Sequence, residues 1–374
     1  MFERVICMQG REAAELFYGN GAIRFTRVGA LPWTTLKLLT DRGSVQQLDG
    51  DAHRHRKQMF MSLMAPEAIG ALAEETERQW QGRLRAWQAM DQLVLFHELH
   101  EILCRAVCAW GGVPLAEAEV GQRTREFAAM IDAAGAVGPW NWLAILLRRR
   151  TERWIEGLVR QVRTRDLAPP EGSALEVIAR YRDLHGDLLT PEAAAVELIN
   201  VLRPTIAVAR FTTFAALALH EHPGVREALR RGADGKLERF VQEVRRFYPF
   251  FPVVGGRVRE PFDWRGQHFE AGTWFLFDLY GTNRDGRIWS EPDVFSPDRF
   301  DDWGGSPFDF VPQGGGDHYI GHRCPGEWLC IELMKTLVRL LLEADYRVPE
   351  QDLRIDMSRM PAIPKSRFVI RLAA

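Results

Sequence analysis

The stretch GHRCPGEW, residues 321–328, decides how the rest of this 374-residue chain is read. It sets one cysteine, Cys324, between an arginine and a Pro-Gly pair, with Glu327 and an apolar, helical-looking run behind it. Pro325 and Gly326 leave room for something flat to approach the backbone. A helix starting at Glu327 turns its positive end toward the sulfur, a setting that suits a thiolate ligand. Upstream, FVPQGGGDHYI (310–320) supplies a long glycine-rich loop. One cysteine with these neighbours is a weak signal taken alone, so the surrounding chain has to carry the reading.

Composition sets limits. With 46% hydrophobic and 26% charged residues, a net charge of -2 and a pI near 6.6, the chain reads as an ordinary globular protein with no global pull toward nucleic acid. Its longest apolar stretch, WNWLAILL (140–147), is too short to span a bilayer, and MFERVICMQG at the start lacks a signal pattern. The expectation is a cytoplasmic protein without a membrane span. The 5 cysteines, at positions 7, 104, 108, 324 and 330, do not form a secreted disulfide scaffold, and Cys104 and Cys108 read as core thiols rather than a metal pair. Helical periodicity dominates from Glu67 to Ala233, including an amphipathic stretch over 66–90 and an Arg-rich one over 148–166. PVVGGRVR (252–259), FDWRGQHFEAGTWFLFDLYG (262–281) and RFVIRLA (367–373) read as short strands. The pattern predicts one domain over 1–374, mainly α with a minor β part.

The helix after Leu189 has two odd features. Thr190, Pro191 and Glu192 form a start signal, and the apolar pattern then runs to about His220. Inside it lies LRPTIAVAR (202–210). Pro204 cannot donate to the carbonyl of Asn200, which predicts a kink and a free acceptor. Arg203 sits beside it. The positions three and four away hold Ile199, Asn200, Ile206 and Ala207, while Glu197 points about 120° around the helix. A guanidinium in an apolar helix requires an anion, either an acid on another element or a ligand.

EVRR (243–246) and NRDGRIWSEPDVFSPDRF (283–300) precede the cysteine loop in the chain, and in that order these motifs resemble the cytochrome P-450s over nearly the whole length. The resemblance implies heme b, with Cys324 as the axial ligand of the iron. It implies a structural cluster of Glu243, Arg246 and Arg299, whose loss costs heme incorporation. His53 and Lys57 in DGDAHRHRKQMF (49–60), with His322, match the positions that hold heme propionates. Read without the resemblance, HRHRK is a solvated basic face in preference to a zinc pair of His53 and His55.

Two departures narrow the match. The family's heme loop carries a phenylalanine where this chain has Asp317, and the glycines lie upstream at 314–316. The acid-alcohol pair that relays protons in the monooxygenases is replaced by LRPTIAVAR. Arg-Pro at this place, with PQGGG and GHRCPGEW, resembles the bacterial fatty-acid peroxygenases that hydroxylate the α or β carbon. That implies hydrogen peroxide as co-substrate, no redox partner protein, and a catalytic segment of Arg203 and Pro204. There the fatty-acid carboxylate, clamped by Arg203, supplies the acid-base function that splitting the O–O bond needs. Gln46 in VQQLDG (45–50) matches a distal position that is often histidine in the related alkene-forming decarboxylases, and a neutral amide there favours hydroxylation. Phe250 and Phe251 read as walls for an alkyl tail, or as core. ICMQGREAAELFYGNGAIRF (6–25) matches a region that normally follows a helix and two strands, so the N-terminal portion is expected to be shortened and closure of the β part is open. Alternatives are a reductase-dependent monooxygenase, a decarboxylase forming terminal alkenes, and a non-catalytic heme or fatty-acid binding protein.

Overall fold

The computed structural model describes residues 3–19, 24–41, 43–232 and 235–372. Its helices are α1 (Arg11–Tyr18), α2 (Trp33–Leu39), α3 (Gly50–Ser62), α4 (Pro66–Gln88), α5 (Leu95–Trp110), α6 (Val120–Asp132), α7 (Pro139–Thr164), α8 (Ala174–Arg180), α9 (Pro191–Glu221), α10 (Pro223–Arg230), α11 (Lys236–Phe247), α12 (Leu279–Asn283) and α13 (Glu327–Glu343). The strands are β1 (Val5–Met8), β2 (Phe25–Thr26), β3 (Leu93–Val94), β4 (Val253–Val258), β5 (Phe262–Trp264), β6 (Gln267–Phe269), β7 (Trp274–Asp278), β8 (Tyr346–Arg347) and β9 (Val369–Leu372).

α9 is the axis of the molecule. The Thr190 hydroxyl accepts from the Ala193 amide at 3.2 Å, and Pro191 occupies the first helical position, where its missing N–H has no intrahelical role. From Ala194 to Leu219 every residue except Pro204 is buried. A helix apolar all round belongs inside a fold, and α5, α7 and α13 pack around it. It is long and apolar enough to cross a membrane, but its most apolar window is 94% buried within the fold. The helix continues through Pro204 without a break, and Thr205 turns its hydroxyl back to the Val201 carbonyl at 2.9 Å.

The β part closes with the N-terminal residues in place. β1 pairs parallel with β7, β7 antiparallel with β4, and β4 antiparallel with β2, giving the order β1-β7-β4-β2. A Cβ on Gly255 would lie 1.9 Å from the Ala30 carbonyl, so glycine is what lets the 24–32 segment cross β4 closely. β5 and β6 form a hairpin turned at Arg265 and Gly266, both with positive φ. β3, β9 and β8 make a second, three-stranded sheet. Two expectations need correction. The end of FDWRGQHFEAGTWFLFDLYG is helix, because Asp278 caps α12 by accepting from the Gly281 amide at 2.7 Å. The run expected to be helical from 67 to 233 contains β3, and Ala233 lies outside the described residues.

Candidate active site

The loop before Cys324 is shaped by its glycines. Gly314 and Gly316 have φ of 94° and 75°, and a Cβ on Gly316 would lie 2.8 Å from the Tyr18 carbonyl. Asp317, where the family carries phenylalanine, accepts from the amides of Tyr319 and Ile320 at 2.7 and 3.0 Å and so starts a turn. The Cys324 amide donates to the Gln313 carbonyl at 3.0 Å. Burial pushes the Cys324 thiol up and the Glu327 charge adds to it, while the Gly326 amide, Lys57 and the Gln313 side chain pull it down.

Behind the cysteine lies a second ion cluster that sequence reasoning missed. Glu327 accepts from Arg323 at 2.5 Å and from Arg245, which also donates to the Gln313 side chain at 3.0 Å. Burial alone would raise the Glu327 carboxyl, but Arg245, His318 and Arg323 together hold it well below the carboxylate range. The signal was present in EVRR, whose two arginines lie 100° apart on a helix and so must serve different partners.

The predicted structural cluster is assembled. Arg246 grips Glu243 with two bonds of 2.7 and 2.8 Å, and Arg299 donates to Glu243 at 3.2 Å. Both arginines also bind carbonyls of the 283–294 segment: Arg246 those of Asn283 and Pro292 at 3.0 Å, Arg299 those of Ser290 and Val294 at 2.7 and 2.9 Å. With nearly every donor used, the cluster clips the irregular chain before the cysteine loop onto α11.

His53 and Lys57 lie buried one turn apart on α3. The His53 ring centre is 4.0 Å from that of His322, and the Lys57 ammonium donates to the carbonyls of Gly321 at 3.0 Å and of Arg323. Arg27 joins them from the N-terminal segment, held by the Gly255 carbonyl at 2.6 Å and lying over the Phe17 ring. Burial pushes His53 down to about 4 and Lys57 down to about 8. His322 is pushed well below its ordinary value by burial, then by Arg27, His53 and Lys57. Among the described residues no carboxylate bonds to any of the four. Basic groups from three segments facing one another without an anion fit a dianionic edge such as the propionates of heme b. The solvated-face reading of HRHRK fails, since His53, Arg56 and Lys57 are buried, and so does the zinc pair, since His55 bonds the Tyr181 hydroxyl.

Arg203 is buried with one bond, from Nη2 to the Leu39 carbonyl at 2.6 Å, and among the described residues its Nε has no partner. No carboxylate pairs with it among the described residues, so the alternative of an acid on another element is excluded there. Burial, then repulsion by Arg148, pushes its pKa down to about 9. Arg148 is itself buried, on the neighbouring Leu38 carbonyl at 2.7 Å. One to two turns earlier on α9, Glu197 accepts from Arg56 at 2.7 Å and from Asn200 at 3.1 Å, and Asn200 donates onward to the Gln46 side-chain oxygen at 3.3 Å. The Gln46 amide nitrogen is left without a protein partner among the described residues. The Phe250 ring packs 4.6 Å from Phe211 of α9 and against the core, and Phe251 lies 4.8 Å from Phe250.

Comparison with known proteins gives one direction. A family model described as cytochrome P-450 matches residues 236–368. Cytochrome P450SP alpha (CYP152B1), solved in complex with (R)-ibuprophen, is 48% identical, with a TM-score of 0.96 covering 99% of this chain and 91% of its own. Wild-type cytochrome P450EX alpha (CYP152N1), solved with myristic acid, is 47% identical, with a TM-score of 0.94 covering 99% of this chain and 89% of its own. Cytochrome P-450 71D94 of Mentha gracilis is 24% identical over 91% of this chain and 76% of its own length.

Proposed function

The chain belongs to the cytochrome P-450 family, and from that premise we propose that it is a heme-thiolate fatty-acid peroxygenase, hydroxylating a long-chain fatty acid at the α or β carbon with hydrogen peroxide. The observation that carries this reading is Arg203, a buried guanidinium with one carbonyl partner and no carboxylate among the described residues. Its free donors suit a bidentate carboxylate, which would also relieve the cost of burying the charge. The myristic acid in the similar CYP152N1 structure supports a fatty acid as that anion.

Each residue has a role of its own. Cys324 would ligate the iron, and His53, Lys57, His322 and Arg27 would hold the propionates. Heme b, when bound, supplies the oxidising chemistry. Arg203 would hold the carboxylate and thereby fix which carbons are presented to the bound heme. The carboxylate is itself the acid-base group, because Glu197, the buried acid of α9, is taken up by Arg56 and Asn200, and Thr205 turns its hydroxyl back to Val201. Pro204 carries no N–H and leaves the Asn200 carbonyl unpaired within α9. Gln46 presents an amide N–H as a hydrogen-bond donor, and Phe250 and Phe251 line the path of the alkyl chain.

The test is turnover of myristate by purified holoenzyme with hydrogen peroxide as the sole oxidant, beside methyl myristate. Hydroxymyristate from the acid and no product from the ester support the reading. A requirement for a reductase and molecular oxygen overturns it.

A further inference from the structure

The first turns of α7 present much of the stretch WNWLAILL to the outside. Trp140 is 75% exposed, Trp142 66% and Leu146 57%, with Leu143 also exposed and Val137 just ahead of the helix. At 100° per residue, Trp142, Leu143 and Leu146 fall in a stripe about 120° wide. The next residues on that stripe are Arg149, Arg150 and Arg153, all exposed. No acidic residue occurs between Asp132 and Glu152. Among the described residues Arg149 and Arg153 make no ion pair, and Arg150 is 3.4 Å from Glu126.

The opposite face of the same turns is buried. Ala144 and Ile145 pack on Leu38 of α2, and Arg148 bonds the Leu38 carbonyl, next to the Leu39 carbonyl that holds Arg203. The exposed tip is thus the outer surface of the layer that covers the candidate site.

We propose that this tip docks the protein on an anionic phospholipid bilayer, from which the fatty acid is drawn; only the cargo rests on the function proposed above. Contiguous exposed apolar surface of this kind marks an interaction site, and the basic band decides its partner. From Trp140 to Leu146 is about 9 Å along the helix, within the ~5–10 Å depth of interfacial burial. Arg149 follows about 4.5 Å further on, at the level of the lipid phosphates, and its stem can cover apolar surface while its charge stays wet. Tryptophan favours the same boundary. A second copy docked through a two-fold axis would meet the same stripe, with no acid on it to answer the arginines.

The experiment is flotation of the holoenzyme with large unilamellar vesicles, either phosphatidylcholine alone or phosphatidylcholine with phosphatidylglycerol. Wild type floats with the anionic vesicles and much less with the neutral ones. Trp142→Ser with Leu146→Ser weakens partitioning by about tenfold or more. Arg149→Glu with Arg153→Glu removes the preference for anionic lipid. Both variants keep the heme spectrum and the turnover of dispersed myristate. The proposal is overturned if wild type stays with the unbound protein, if the stripe variants float like wild type, or if light scattering finds a stripe-dependent dimer without vesicle binding. Vesicle binding by a protein that does not oxidise fatty acids would keep the docking surface and remove the proposed activity.

Discussion

Replacing Arg203 by alanine separates binding from stability, which no purely structural role for this arginine would do. A fall in its pKa from 12.5 to about 9 corresponds to about 5 kcal/mol of unfavourable charge burial. Arg203→Ala removes that cost, but it also removes the packed stem and leaves a cavity, which costs about 2–5 kcal/mol. The two oppose each other, so stability is expected within about 3 kcal/mol of wild type. The carboxylate loses two charge-assisted bonds in a dry site, about 3–5 kcal/mol, or roughly 10²–10⁴-fold in affinity. Titrating myristate into heme-loaded protein and following the Soret band gives the affinity, and denaturant unfolding of the same samples gives the stability. Affinity within threefold of wild type refutes the clamp, as does a collapse of stability by more than 4 kcal/mol, which would mark Arg203 as a structural strut.

Three further outcomes are expected. His100 is buried with Nε2 unpartnered, and burial pushes it down to about 3 despite Asp132, with Arg210, His97 and Arg367 also facing it. Below pH 6.5 the unfolded chain takes up a proton that the fold refuses, so stability falls with pH; by pH 5 this group alone costs about 2 kcal/mol. His100→Phe should show a correspondingly smaller loss between pH 7.5 and 5 in urea unfolding, and an equal loss would remove His100 from the acid limb. Glu243→Gln strands the buried Arg246 and the partly buried Arg299, and a loss of about 3–5 kcal/mol is expected to appear as a lower ratio of Soret to protein absorbance in purified samples. Glu197→Gln can donate to the Asn200 side-chain oxygen and reverse the amide order through Gln46. Peroxide-driven kcat should then fall while myristate affinity holds, and an unchanged kcat would make the Glu197 network structural only.

The elements with strong local chemistry were legible in the sequence. Thr190-Pro191-Glu192 marks the start of α9, the Arg-Gly pair marks the β5–β6 turn, and Glu327 opens α13 as the Pro-Gly before it suggests. β1, β2 and β3 were not legible, because strands of two to four residues exist only through partners far along the chain: Val5 pairs with Trp274, and Leu93 with Ile370. The same distinction runs through the site. Glu243, Arg246 and Arg299 sit in motifs of fixed spacing, and helix geometry alone deprives Arg203 of an acid on its own helix. Arg27 reaches the basic cluster only because β4 lies beside the 24–32 segment, and Gln46 meets Asn200 across 154 positions of chain.

The position of the new hydroxyl group on myristate is the most direct test of the account. A carboxylate held at Arg203 leaves only the carbons next to it within reach of the ring, so mass spectrometry of the product should find oxygen on the α or β carbon. Oxygen inserted toward the methyl end of the chain would mean that the acid group is held elsewhere, and the role given to Arg203 would be wrong.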